Sequence, residues 1–449
     1  MASIAAALRR FKRDPLGVLN RSVVERACRE HDHRWREREL DPTLTVALFA
    51  QQILHGNTPC SEVRHIAGRS FTASAWCQAR ARLPLAVYQT ILARVCEAAM
   101  PQTRERQHLW RGHRTFHVDG STFSMPDTAE LRRVFGQPTG QKTGCGFPVA
   151  HLLVLFSAAT GLVLDAFASP LRTGDVSQAS EYLAHLNAGD ILIGDDSFSG
   201  YAHLALLLQR NLHGLFPNHH RRIIDFRPSR AHTTKGKNAI AGLPRSRWIK
   251  SLGKEDQLVE WFKPSSHPAW MSKEDYDALP ESIVVREIRR RVRLPEGRRI
   301  TVTLITTLLD PIRYPADALI ELRLRRWDVE TNLRHLKTTM GLDVLHCKTE
   351  VGVRKELVVF CLVYNLVRVI MMQAAKRQRV SVDRISFADT LKWTRHARPG
   401  DTLPDLLINP RRANRIEPRC KKRRPKQYDL MTRPRRELQK QLKKQKKRV

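Results

Sequence analysis

The chain has 449 residues, of which 42% are hydrophobic. That is enough for two to four packed domains and too apolar for a disordered polymer. Its 78 Lys and Arg against 44 Asp and Glu leave a formal net charge of +34. A surplus of that size repels itself unless a polyanion neutralises it, and nucleic acid is the usual one. No run of 18 apolar residues suggests a membrane span. The start, MASIAAALRRFKRD, places its apolar stretch before its basic residues, the reverse of a secretory signal. The expectation is therefore a soluble, intracellular protein with no membrane partner. Eight scattered cysteines without a C-x-x-C pair argue against a zinc finger or a disulfide framework. His219 and His220, the only tight histidine pair, read as part of a basic loop, HHRR.

Residues 1–105 read as a helical N-terminal domain. Apolar residues recur at helical spacing in TLTVALFAQQIL, which stops at His55-Gly56-Asn57. A second helix starts after Ser61 and ends at Gly68, and a third starts after Thr72 or Ser74 and carries Arg80 and Arg82. A short helix, a glycine turn and a basic second helix is the pattern of a helix-turn-helix that would bind DNA ends. An ordinary three-helix core with a solvated basic face gives the same pattern.

From Thr115 the texture changes. Segments 115–119 (TFHVD), 149–157 (VAHLLVLFS) and 162–168 (LVLDAFA) read as strands, and Asp175 or Ser177 can cap a helix reaching about Asn187. GDILIGD (189–195), a helix over 201–211 and a strand at 214–217 follow. Three strands, helix, strand, helix, strand is the order of an α/β, RNase H-like catalytic domain. That core would span 106–217 and resume as helices in 313–400, interrupted by a β-rich insertion over 218–312 with Trp248, Trp261 and Trp270. A basic C-terminal tail (401–449) closes the chain. Residues 411–449 carry 18 Lys or Arg against 3 acidic residues, a run expected to be disordered alone and held by phosphates when bound.

Two acids stand where strands end: Asp119 closes TFHVD and Asp195 closes ILIGD. In the expected topology these strands are neighbours, so the carboxylates converge and repel unless protons or cations lie between them. Magnesium, with its preference for oxygen ligands, suits such a site. Two ions about 3.5–4 Å apart can activate a nucleophile and stabilise a leaving oxygen in phosphoryl transfer. A single Asp behind a strand also serves as a turn or helix cap. A third acid comes from RRWDVETNLRHLK. On one helix Arg326, Glu330 and Lys337 would lie within about 40° of one another, and Arg323 within about 20° of Glu330. An exposed Arg–Glu pair four residues apart is the plainer reading of the same spacing.

Together these pieces resemble the insertion sequence 4 family of bacterial DDE transposases. DGSTFSMPD, from Asp119, matches the family's first motif. GDDSF matches the second, with Asp195 in the catalytic column, and the order and spacing of Arg326, Glu330 and Lys337 match its Y-x2-R-x3-E-x6-K motif. Two positions depart from the pattern: Arg323 replaces the tyrosine, and Asp196 replaces the arginine that usually follows the second aspartate, which leaves Asp196 as a rival metal ligand to Asp195. The resemblance implies a cut-and-paste DNA transposase with Asp119, Asp195 and Glu330 holding two Mg2+ ions, for which Mn2+ can substitute. Arg323, Arg326 and Lys337 would bind DNA phosphates, and Trp270 or Trp261 are the candidates to stack on an extruded base, although core packing is the plainer reading of both. The implied partner is double-stranded DNA, both terminal inverted repeats and target, bound by a homodimer in the bacterial cytoplasm at the nucleoid. A related nuclease that does not join DNA, or a DNA-binding protein that has lost catalysis, are the rival readings.

Overall fold

In the computed structural model, which describes residues 20–99, 109–138, 145–234, 242–294, 297, 299–325, 327–397, 401–410 and 433–446, the expected β-runs become five strands. They are β1 (Thr115–Ser124), β2 (Val149–Ser157), β3 (Val163–Pro170), β4 (Ile191–Ile193) and β5 (His213–Pro217). The segment after β5 adds β6 (Ser246–Gly253), β7 (Asp256–Phe262), β8 (Ser282–Arg293) and β9 (Arg299–Thr306). All nine form one sheet in the order β3-β2-β1-β4-β5-β9-β8-β7-β6. β1 is antiparallel to β2 and parallel to β4, and β4 is parallel to β5. With helices on both faces, this is an RNase H-like α/β fold with an insertion.

The insertion is not a separate body. β9 runs antiparallel to β5, pairing Leu215–Pro217 with Leu304–Thr306. Thr306 Oγ1 donates to Gly214 O at 2.7 Å, and Gly214 N donates to Thr307 Oγ1 at 3.0 Å. A hydroxyl on each of two consecutive threonines thus serves a backbone group at this seam, where an unpaired buried group would be costly.

Alternation along the strands sends side chains to two faces. Phe116, Val118 and Leu192 pack on one face with Phe198, Leu204 and Leu207 of the Tyr201–Gln209 helix region. Ile191, Ile193 and Leu215 pack on the other with Leu319, Ile320 and Leu322 of the Ala316–Leu324 helix. Alternate residues of β2 and β3, such as Leu152, Val154 and Val163, join a third cluster shared with the N-terminal helices and the long helix Glu350–Gln378. Among the described residues that helix alone is long and apolar enough to cross a membrane, yet 94% of its apolar window is buried inside the fold. It is the axle of the core.

The N-terminal helices fall where the sequence places them: Pro42–Leu54, Val63–Ala67 and Ala73–Arg82, with Thr72 Oγ1 capping the last through Ala75 N at 3.0 Å. Arg80, however, is not on a solvated face. Its guanidinium lies 4.6 Å from the Phe49 ring centre, and Nη2 donates to Cys60 Sγ at 3.2 Å. Glu356, fully buried on the long helix, ties this unit to the loop before it. It accepts from Asn57 Nδ2 at 2.6 Å and from His346 N and Cys347 N at 2.8 Å.

Three expectations need correcting. The helix from Asp175 is a short 3-10 turn followed by Ala179–Leu183, ending before Asn187, and Asp175 does not cap it. The single helix expected through Arg323 and Lys337 is broken: Ala316–Leu324 ends, Trp327–Arg334 begins, and a π-turn spans His335–Thr339. Within the basic tail, Arg435–Lys446 forms a helix.

Candidate active site

Asp119 and Asp195 stand in one row of the sheet. β1 and β4 pair Phe116 with Leu192 and His117 with Ile193. Two residues further along each strand the same register reaches Asp119 and Asp195. Asp119 shares its face of β1 with His117, and Asp195 continues that of Ile193 in extended backbone (φ −83°, ψ −172°). The intervening Gly194 points the other way, where an added Cβ would meet Phe198 Cδ2 at 2.7 Å. Asp196 falls one residue out of step and opens a 3-10 turn. Both aspartates are half-buried, on the face that the Ala316–Leu324 helix covers.

Asp195 is also held. Its Oδ1 accepts from Ser197 N at 2.9 Å and from Ser197 Oγ at 2.5 Å. The same hydroxyl lies 3.3 Å from Asp175 Oδ2, and Asp175 Oδ1 lies 2.6 Å from His151 Nε2. Asp175 reaches this point because residue 120 is glycine: an added Cβ there would sit 2.4 Å from Asp175 Oδ1. The cap role open to a strand-end aspartate is thus real for Asp195, and it leaves the carboxylate anchored by one oxygen. Sequence reasoning missed Ser197, Asp175 and His151. Only the glycine after Asp119 hinted that something presses on β1.

The Trp327–Arg334 helix and its π-turn approach β1 on the face of Asp119. Lys337 Nζ donates to Ser121 Oγ at 2.7 Å and lies 3.1 Å from Asp343 Oδ1. Ser121 is two residues beyond Asp119 on the same strand, so Lys337 is delivered beside the first aspartate. Glu330, exposed on its helix, and Arg323 line one cavity of about 420 Å³ with Pro217, Asn218 and Thr301. Arg323 and Glu330 therefore meet across the helix break rather than along one stripe. Arg326 lies outside the described residues.

The tryptophans separate cleanly. Trp261 is 1% exposed, its Nε1 donates to Glu287 Oε1 at 3.1 Å, and the Arg222 guanidinium covers its ring at 3.4 Å. That makes it a core residue, and the stacking role suggested for it is withdrawn. Trp270 is partly exposed at the edge of the same cluster. The histidine pair also has a partner the sequence hid: Asp196, His219 and His220 each bring a potential ligand atom within 4.8 Å of the other two.

Chemically, the rim concentrates carboxylates at the ends of neighbouring strands with Lys337 close by, and Arg323 shares a cavity with Glu330. That is an arrangement for oxygen-loving cations and phosphates. Residues 110–366, more than half of the chain, match the transposase DDE domain family model. The chain belongs to this family, and it is an enzyme of the DDE transposase class, acting in DNA cleavage and strand transfer. It is related to the transposase InsG of insertion sequence element IS4 from Escherichia coli K12, with 23% identity over 405 residues, covering 85% of this chain and 84% of InsG. The putative transposase InsZ of the same organism is 32% identical over 111 residues, covering 24% of this chain and 37% of InsZ. Among solved structures, the piggyBac transposase synaptic complex with hairpin DNA aligns with 87% of this chain and 79% of its own, at 7% identity and a TM-score of 0.41.

Proposed function

We propose that this enzyme is a cut-and-paste transposase of the insertion sequence 4 type, with Asp119, Asp195 and Glu330 as its catalytic carboxylates. The observation that supports this most is the shared register of Asp119 and Asp195 on the face where the elements carrying Glu330 and Lys337 pack. Three carboxylates make an all-oxygen donor set, which fits Mg2+ or Mn2+. Two such ions, when bound, supply activation of the attacking oxygen and stabilisation of the leaving one. Ser197 fixes one oxygen of Asp195, and the other would be a ligand to an ion. Lys337 and Arg323 hold the phosphates flanking the scissile bond, the former as a point charge and the latter through its planar fork. Arg326 belongs to the same motif. Trp270, partly exposed, would stack on an extruded base. The substrate is double-stranded DNA, first the element's terminal inverted repeats and then target DNA, held by a homodimer in the bacterial cytoplasm.

The test is a cleavage and joining assay on DNA carrying the element's ends, with Mg2+, comparing wild type with Glu330→Ala. Nicked and joined products should fall by at least about 10²-fold in the variant. Glu330 is exposed, so its thermal midpoint should not move. Cleavage without joining would make the protein a nuclease, and binding without cleavage by the wild type would sink the catalytic reading.

A further inference from the structure

Asp196 and the His219–His220 pair are brought together by the construction that aligns Asp119 with Asp195. β4 and β5 run parallel with Ile193 beside Leu215. A few residues beyond those partners, one chain exit delivers Asp196 and the other delivers His219 and His220. Because Asp196 is out of step with Asp195, the neighbouring acids have different partners: Asp195 accepts from Ser197, and Asp196 approaches the exit of β5. His220 Nδ1 lies 4.0 Å from Asp196 Oδ2, and the two imidazole rings are 4.3 Å apart.

We propose that Asp196, His219 and His220 form a second metal site, separate from the three-carboxylate cluster, that takes a borderline divalent transition ion such as Zn2+. Two imidazoles and a carboxylate suit zinc, nickel or iron, whereas magnesium prefers oxygen alone. Around a tetrahedral zinc with bonds of about 2.0–2.1 Å, ligand atoms stand about 3.3 Å apart. The observed spacing therefore closes by side-chain rotation at a surface turn, with water free to complete the shell. Neighbouring cations are largely committed elsewhere. Arg222 lies over Trp261, and Lys263 Nζ donates to Asp277 O at 3.0 Å and Leu279 O at 2.9 Å. Arg221 stays on the same turn, and its N–H donates to His219 Nδ1 at 3.2 Å, a bond the ion would replace or leave in place according to which ring nitrogen it takes.

The ion would pin the turn after β5 to the end of β4, one residue from Asp195. Asp196 and His219 also line a cavity of about 570 Å³ that reaches Phe262 and Lys263 of the insertion. The site therefore staples the mouth of that cavity to the catalytic rim.

The test is a cobalt(II) titration of the full chain, without a polyhistidine tag, followed by visible spectroscopy. One equivalent should produce a d–d band that zinc abolishes and excess magnesium does not. The band should vanish in the His219→Ala/His220→Ala double variant and in Asp196→Asn, and persist in Glu330→Ala. Two kinds of variant, all at surface side chains, guard against a folding artefact. Zinc at ~100-fold above its Kd should also raise Tm in the wild type and not in these variants. Absence of the band, its survival without the histidines, or its loss with Glu330 would each overturn the proposal. None of these outcomes depends on whether the enzyme cleaves DNA.

Discussion

On the insertion side of the sheet, Arg286 is fully buried, yet its guanidinium grips both oxygens of Asp256 at 2.8 and 2.6 Å and donates to Tyr314 O at 2.7 Å. Beside it, burial pushes the Glu287 carboxyl up, opposed by hydrogen bonds from Gln257 and Trp261. On the RNase H-like side, Asp119 and Asp195 share a row, with Asp175 and Asp196 close behind. The first region answers its charges from within the chain. The second gathers carboxylates at strand ends, and on the function proposed above divalent cations would complete their neutralisation. On the proposed function the sheet is electrically closed at one end and open at the other, and the open end would be where chemistry is done.

The hardest blow to the closed end is Arg286→Ala, which strands Asp256 in the core. It should cost about 3–5 kcal/mol in denaturant unfolding, and replacing both partners with apolar residues of similar volume should recover most of that. Equal damage from the double replacement would break the contrast. Next comes acid. His203, fully buried between Tyr182 Oη and Phe198 O, has its pKa lowered to about 4 by burial. Unfolded it takes a proton near pH 6.5, so the folded state loses stability as pH falls from about 6.5 towards 4, by roughly 3 kcal/mol. A stability profile flat over that window, or unchanged in His203→Gln, would remove this contribution.

The open end should respond in metal dependence rather than in stability. Gly120→Ala must displace Asp175, and Ser197→Ala frees Asp195 Oδ1. Each should raise the Mg2+ concentration for half-maximal cleavage by about 10-fold, with Tm nearly constant. A purely structural role would instead lower Tm and leave the Mg2+ requirement alone. The smallest effect is Trp270→Ala, which should weaken binding of element-end DNA by about 1 kcal/mol or somewhat more if the ring stacks on a base. No loss would return Trp270 to simple packing.

How far the sequence could be read follows the range of the interactions. TFHVD and ILIGD announce strands by local pattern, and a standard strand order then sets Asp119 beside Asp195 with no contact needing to be known. The seam of β5 and β9 joins residues almost ninety positions apart, and nothing local in GLFP or TLIT says that they pair. The break before Trp327 and the π-turn at His335–Thr339 carry no Pro or Gly to mark them; the turn packs against β1 through Lys337 and Ser121 and against Phe387 through His335. Asp175 looked like a cap because its partners, His151 and Ser197, are distant in sequence. The histidine pair looked like loop for the same reason, its carboxylate being 23 residues away. Trp261 could not be told from Trp270 without knowing which one Arg222 covers.

The long helix Glu350–Gln378 sets an order of events during synthesis. Val46, Phe49, Ile91 and Leu92 of the N-terminal helices find their cover in a segment made roughly 260 to 330 residues later. Until that helix leaves the ribosome, the first hundred residues hold an unfinished core. The N-terminal unit is therefore not a detachable module, and a truncated chain ending before Glu350 should expose apolar surface and aggregate.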